Sequence, residues 1–217
     1  MQQIKGINAT RLAEPYEIEY SYHFPKDYGK CFKNASLGYS VFTVSLSCWI
    51  KFTEAESSGG AQYITGTPGT RGSLELDQWG RIAQNGNYGG LPDYNCWNHI
   101  HLSNGRLHVN GNIGADDWDI DELDPAYCGS NVGFKMADFI FLSKSTVCTE
   151  FGEYRDGKWW PIEYKGGLGS QGKDHHLKFH PDDIGKDYSG NGHDFTPLDG
   201  ISNSLCSTDT PTTSGPC

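Results

Sequence analysis

Apolar and polar positions alternate over LGYSVFTVSLSCWIKF, residues 37–52: Val41, Phe42, Val44, Leu46, Cys48, Ile50 and Phe52 stand against Thr43, Ser45, Ser47 and Lys51. Successive side chains of a strand point to opposite faces, so period two over such a length predicts a half-buried β-strand. AQYITGTPG and SLELDQWGRIAQNG repeat the pattern in shorter form, each a brief strand cut by a glycine turn. In WNHIHLSNGRLHVNGN, Ile100 and Leu102 alternate with His99 and His101, and Leu107 and Val109 alternate back. Between them Asn104-Gly105 supplies two residues that tolerate the positive φ of a tight hairpin turn, and Asn110-Gly111 ends the returning strand. GFKMADFIFLSKS predicts a further strand offering Phe134, Met136, Phe139 and Phe141 to the core. No stretch shows helical periodicity. Many strands, closely spaced glycine turns and no helix predict an all-β, antiparallel sandwich.

Composition refines this picture. The 217 residues suffice for one domain with a self-supporting core, and 28 glycines are nearly twice the usual share of about 7%. The pattern divides the chain into an N-terminal arm (1–19), the sandwich (20–201) and a polar tail (202–217) rich in Ser, Thr and Pro. Fixing a residue's backbone costs roughly 1–2 kcal/mol, and such a tail has little apolar surface to offset it. It is expected to be extended, mobile or ordered only against a neighbouring subunit.

A net charge of −10 argues against nucleic acid as a partner, because phosphate binding needs a basic surface. No run of 18 apolar residues suits a membrane span, and MQQIKGINATRL lacks the apolar stretch of a secretory signal, so synthesis in a cytoplasm is expected. Cys31, Cys48, Cys96, Cys128, Cys148, Cys206 and Cys217 stand singly, with no C-x-x-C pair. Their odd number leaves at least one unpaired, and most are expected to be reduced and buried as small apolar groups. No cofactor is required by these features.

Three stretches invite a chemical reading. His99, His101 and His108 resemble a metal cluster, yet each fits the polar face of its hairpin and reads as a solvated strand histidine. The six acids between Asp116 and Asp124 read as a solvated loop. In DIGKDYSGNGHDFTPLDG, Asp187, Ser189 and Asn191 occupy alternate positions before Gly192, which is how a short loop wraps Ca2+. Leu198 stands where a helical calcium motif needs a bidentate Glu, so that motif is excluded. Two readings remain: an Asx-type turn in which Asp187 accepts backbone N–H groups and Phe195 enters the core, or a cation held by Asp187 and Asn191.

The order of SCWIKF, the WNHIHL and NGRLHVNG hairpin and GFKMADFIFL resembles the laminin-G-like, concanavalin A-like lectin and glucanase superfamily. The C-terminal third, from ADFIFLSKS to DTPT, resembles a block that recurs in virion proteins of tailed phages. It is carried here by Phe151, Gly152, Glu153, Trp160, Pro161, Tyr164, Gly166, Gly172, Lys186, Asp187, Ser189, Gly190 and Asn191. The resemblance covers residues 20 to 212. It implies a concanavalin A-like jelly roll on a virion surface, assembled in the host cytoplasm beside other virion proteins and favouring a homotrimer. The part implied is a tail-fibre or receptor-binding subunit, or a head decoration protein.

Because that superfamily includes glucanases, Glu75-Leu76-Asp77 is compared with the opening of their Glu-x-Asp-x-x-Glu motif. Gln78, Trp79 and Gly80 stand where the second catalytic Glu belongs, so no proton donor completes the pair. An edge strand ending in a turn is the plainer reading, no Gly-x-Ser-x-Gly elbow supports an esterase, and no enzyme is expected. Sugar binding stays open: QNGNYGGLPDYN places Asn85, Asn87, Tyr88, Asp93 and Tyr94 on one loop, aromatic faces for sugar rings beside polar groups for hydroxyls.

Overall fold

The computed structural model describes residues 15–24, 31–37, 44–52, 62–66, 72–77, 81–84, 87–90, 92–115, 123–130, 133–199 and 201–217. Among them the chain forms β1 (Ser21–His23), β2 (Phe32–Lys33), β3 (Ser45–Phe52), β4 (Gln62–Thr65), β5 (Leu74–Leu76) and β6 (Ile82–Gln84). There follow β7 (Asn87–Tyr88), β8 (Asn98–Ser103), β9 (Arg106–Val109), β10 (Asn112–Ala115), β11 (Tyr127–Ser130) and β12 (Phe134–Leu142). The last five are β13 (Gly152–Arg155), β14 (Lys158–Pro161), β15 (His175–Leu177), β16 (Thr196–Pro197) and β17 (Cys206–Ser207).

One sheet runs β10-β9-β8-β3-β12-β1-β17, with β15 also paired to β12, and the other runs β16-β2-β11-β4-β5-β6-β7. Pairing between these strands is antiparallel, and the sheets enclose one apolar core. The protein is an all-β, antiparallel sandwich, as the alternation predicts, and it has jelly-roll character. Leu46, Cys48, Ile50 and Phe52 of β3 face that core with Ile100 and Leu102 of β8. Ile64, Leu74, Leu76, Ile82 and Cys128 meet them from the second sheet. Each large side chain so buried contributes about 1.5–3 kcal/mol.

Asn104 and Gly105 have φ of 49° and 71°, and Asn110 and Gly111 have 50° and 76°, the paired positive angles of a two-residue turn. The second pair does more than end β9, because it folds the chain back into β10.

The opposite face of the first sheet is covered by a third layer, which corrects three expectations. The β13–β14 hairpin lays Trp159 over Trp49, Trp97, Ala137 and Cys148, and sets Phe151 beside Ile140 and Leu142. His99 and His101, expected in solvent, are fully buried there, since the hairpin arrives from a part of the sequence that β8 cannot foretell. Residues 15–19, expected to form an arm outside the sandwich, belong to this layer: Ile18 packs in its apolar cluster and exchanges hydrogen bonds with the Thr212 hydroxyl.

The segment 202–217 is not an extended tail but packs against its own chain. Strand β17 pairs with β1, residues Pro211–Ser214 form a single helical turn, and Cys217 is bonded to Cys96. Charge takes the place of apolar area. Asp209 accepts from Lys135 Nζ at 2.7 Å, Lys51 Nζ at 3.1 Å and Trp97 Nε1 at 3.1 Å. Burial opposes ionisation, but the hydrogen bonds from Lys135, Ser214, Trp97 and Lys51 outweigh it and hold the Asp209 carboxyl well below the usual range. Of the remaining cysteines, Cys48, Cys128 and Cys148 are free and buried, Cys31 is buried, and Cys206 is free and half-buried.

Candidate functional site

The site begins with a parity change. Phe134 and Met136 face the core from even positions of β12, Phe139 and Phe141 from odd ones, and all four are fully buried. A strand can do this only by inserting a residue. The register against β3 accordingly shifts between Ala137, opposite Trp49, and Ile140, opposite Ser47, a β-bulge. Asp138 lies in it with φ of 50°, a left-handed conformation that Asp adopts more readily than most residues.

On its other side β12 is shared by two short strands. β1 pairs with Lys135 and Met136, and β15 pairs with Phe139 through Phe141. Asp138 stands at the seam between them, where a cleft of about 220 Å³ opens. Residues 16–20, leading into β1, form one wall, while Lys178 and His180, following β15, form another with Tyr188. Phe179 between that pair has φ of 55°, unusual for a bulky side chain. It buries its ring against Tyr22, Phe24 and Phe32 while its neighbours line the cleft. Two such non-glycine residues at one cleft mark it as a functional candidate.

Within the cleft, Asp138 Oδ1 accepts from the Tyr16 hydroxyl at 3.2 Å and from His176 Nε2 at 2.5 Å. Its Oδ2 has no protein partner among the described residues. Burial, reinforced by the Asp138 charge, pushes the Tyr16 phenol far above its ordinary range and keeps it a donor. Tyr20 meets His180 edge to face at 4.8 Å, and the ammonium of Lys178 lies 5.5 Å from the Tyr188 ring centre. The cleft thus offers three tyrosines, a carboxylate held from one side and free on the other, and flanking Lys178, Glu17 and Glu19.

The loop of residues 183–199 sets Tyr188 in place. Asp187 Oδ1 accepts the backbone N–H groups of His176 and Ser189, and Oδ2 accepts the N–H of His193 and the Ser189 hydroxyl. Burial raises its carboxyl, but these bonds prevail and lower it. Asn191 donates Nδ2 to the carbonyl of Asp174. A cation would have to displace three backbone N–H groups from Asp187, so these residues do not form an oxygen cage for Ca2+. The turn instead fastens β15 to the loop: the Tyr188 N–H bonds His176 O at 2.8 Å and fixes the tyrosine beside the cleft, while Phe195 is buried in the core.

The residues expected to bind sugar are engaged, where described, in contacts of their own. Asn85 lies outside the described residues. Asn87 and Tyr88 form β7 at the end of the second sheet, where the Tyr88 ring stacks under the Arg81 guanidinium at 4.0 Å. Tyr94 packs on Phe52 at the end of β3 in the first sheet, and Asp93 exchanges backbone bonds with the Asn98 side chain. Glu75 is not on an edge strand, because β6 and β7 continue the sheet beyond β5. Burial raises its carboxyl despite a hydrogen bond from Tyr63, and Asp77 is gripped by Arg81 Nε and Nη2 at 2.9 and 2.7 Å. Gln78, Trp79 and Gly80, like Asp116 to Glu122 of the acidic run, fall outside the described residues, whereas Asp124 is buried and caps Ala126 N–H.

The histidines of β8 serve packing. Trp159 Nε1, which can only donate, bonds His99 Nδ1 at 3.0 Å, so the hydrogen of His99 resides on Nε2 and is given to Ser47 at 2.9 Å. Burial, then the neighbouring His101 and His108, holds His99 neutral. Trp159 gains its place because Gly111 has no side chain; a Cβ there would lie 2.5 Å from the indole. Among the described residues, the single group with metal-ligand spacing is Asp93, Cys96 and Cys217, and its two sulfurs are already joined to each other.

Sequence reasoning missed Asp138 and Tyr188 as a pair. The signal for Asp138 was present: four core residues of one strand that change parity across it. Comparison of the chain with protein-family models and with curated proteins finds no match.

Proposed function

We propose that the protein is a carbohydrate-binding, non-enzymatic subunit of a tailed-phage virion surface, a concanavalin A-like module of the tail-fibre or receptor-binding kind, with its sugar site in the Asp138 cleft. The observation that carries this reading is the convergence of Tyr16, Tyr20 and Tyr188 around a carboxylate whose Oδ2 is free to accept. Sugar rings present apolar faces to aromatic side chains and hydroxyls to a few fixed polar groups, and a concave, preformed site of mixed character suits them.

Two further features support it. The stretch that resembles phage virion proteins supplies the β13–β14 cover and the Asp187 turn, both of which shape the cleft's surroundings. The Cys96–Cys217 bond suits a protein that folds in a reducing cytoplasm and then works outside the cell. Binding without hydrolysis accords with an Asp77 carboxylate engaged by Arg81.

An array of bacterial surface polysaccharides tests the proposal. Binding is expected for the parent protein and should be lost in Asp138→Asn, a change that the left-handed backbone tolerates, and weakened in Tyr188→Ala. Binding to capsids but to no glycan would favour the head decoration reading. New reducing ends on incubation would favour a hydrolase.

A further inference from the structure

A second depression adjoins the Asp138 cleft. It encloses about 650 Å³, shares Tyr16 and Glu17 with the cleft as a common wall, and continues to Arg155, Asp156, Trp160 and Pro161 of the β13–β14 hairpin. Trp160 is half-buried and follows Trp159, the residue that anchors the hairpin. Because neighbours on a strand face opposite ways, locking Trp159 into the cover layer turns Trp160 outward. The hairpin is therefore fixed at its base and presents an aromatic face at its surface.

Building on the glycan reading above, we infer that the two depressions are one groove and that its ligand is a neutral or amine-bearing oligosaccharide chain, with Trp160 as a second stacking platform beyond Tyr16. A site for a single sugar needs only the cleft of about 220 Å³. An aromatic-walled extension three times as large, sharing a wall with it, has room for the following units of a chain. Charge selects the class of chain. Glu17, Glu19, Asp138 and Asp156 line the combined groove against Lys178 and Arg155, and Arg155 is already paired with Glu153 at 2.6 Å. A polymer of uronic acids or phosphodiesters would meet net repulsion there, whereas a neutral or amino sugar would not.

Calorimetric titration with cello- and chito-oligosaccharides, from disaccharide to hexasaccharide, tests this, with alginate oligomers of matching length as the acidic control. Affinity should rise by about tenfold or more between disaccharide and tetrasaccharide. Trp160→Ala should abolish that rise and leave disaccharide binding intact, while Tyr188→Ala should weaken every length. Equal affinity at all lengths, an unaltered rise in Trp160→Ala, or alginate binding as tightly as the neutral chains would overturn the groove while leaving the cleft as a sugar site. Absence of binding by both ladders would count against the glycan reading itself.

Discussion

The two faces of the first sheet are built from the same strands and are both dry along β3 and β8, yet they are made of different material. The inner face presents Leu46, Ile50, Ile100, Leu102, Phe139 and Phe141 to the second sheet. The outer face presents Ser45, Ser47, Trp49, His99, His101 and Ser103, all of them buried. On the inner face apolar area suffices. On the outer face the polar groups need partners, and the structure supplies most of them: Ser45 donates to the Lys144 carbonyl, Ser47 meets His99, and His101 Nε2 meets Thr146, while His101 Nδ1 is buried without a partner among the described residues. Alternation in a sequence therefore tells which residues share a face, and not which face is wet.

If the outer face is a true core, Trp159→Ala should cost as much as the inner-face change Phe139→Ala, about 3–5 kcal/mol each. Urea denaturation of both variants checks this. A loss below about 0.5 kcal/mol for Trp159→Ala, the scale of a surface substitution, would show the cover layer to be loosely laid on. Reducing the Cys96–Cys217 bond, which ties that layer's last residue to the start of β8, should cost about 2–4 kcal/mol. Thermal melts with and without reductant should differ, and the Cys217→Ser variant should lose the difference.

Acid should weaken both faces through their histidines. Burial holds His101 on the outer face down to about 3, with His108 adding to the effect. Burial likewise holds His175 down to about 4, stacked on Phe141 at 5.2 Å in the interior. The unfolded chain takes up protons below about 6.5 that the folded chain refuses. Stability is therefore full above that pH and falls as pH drops towards 4, by about 1.4 kcal/mol per pH unit for each histidine. Asp187 and Asp209, whose carboxyls are held low, add to the loss below about pH 5, and the raised Glu75 opposes it, so the share of His101 is read by substitution. His101→Gln should make the limb shallower, and an unchanged slope would remove His101 from the account. The smallest effect is expected at Tyr88, 50% exposed at the sheet's end. Its replacement by Ala should cost no more than about 0.5–1 kcal/mol, the worth of an exposed cation–π contact.

Much of the inner core was legible, because side chains that alternate toward one apolar face announce themselves: the apolar residues named within β3, β8 and β12 lie in the core, while Val41 and Phe42 fall outside the described residues. The turns at Asn104 and Asn110 were legible for an equally local reason, their tolerance of positive φ. What could not be read were contacts closed across long stretches of chain. His99 meets Trp159 and Lys51 meets Asp209, and nothing near either member of these pairs encodes the other. The seam at Asp138 was half legible, since the parity change in β12 predicts a bulge but not that β1 and β15 would leave a gap beside it. Loop composition at 85–94 suggested a sugar site because Asn, Asp and Tyr also suit turns and strand ends, which is how the described ones among them are used here.

The central claim is that the Asp138 cleft, and not the 85–94 region, receives the glycan. Titrating an isotope-labelled sample with the tightest-binding oligosaccharide and following backbone and side-chain resonances tests it directly. The account predicts that Asp138, Lys178, His180 and Tyr188 shift together with the Tyr16 segment, while Asn87, Tyr88, Asp93 and Tyr94 stay in place. Shifts confined to Asn87, Tyr88, Asp93 and Tyr94, with the cleft residues unmoved, would contradict it.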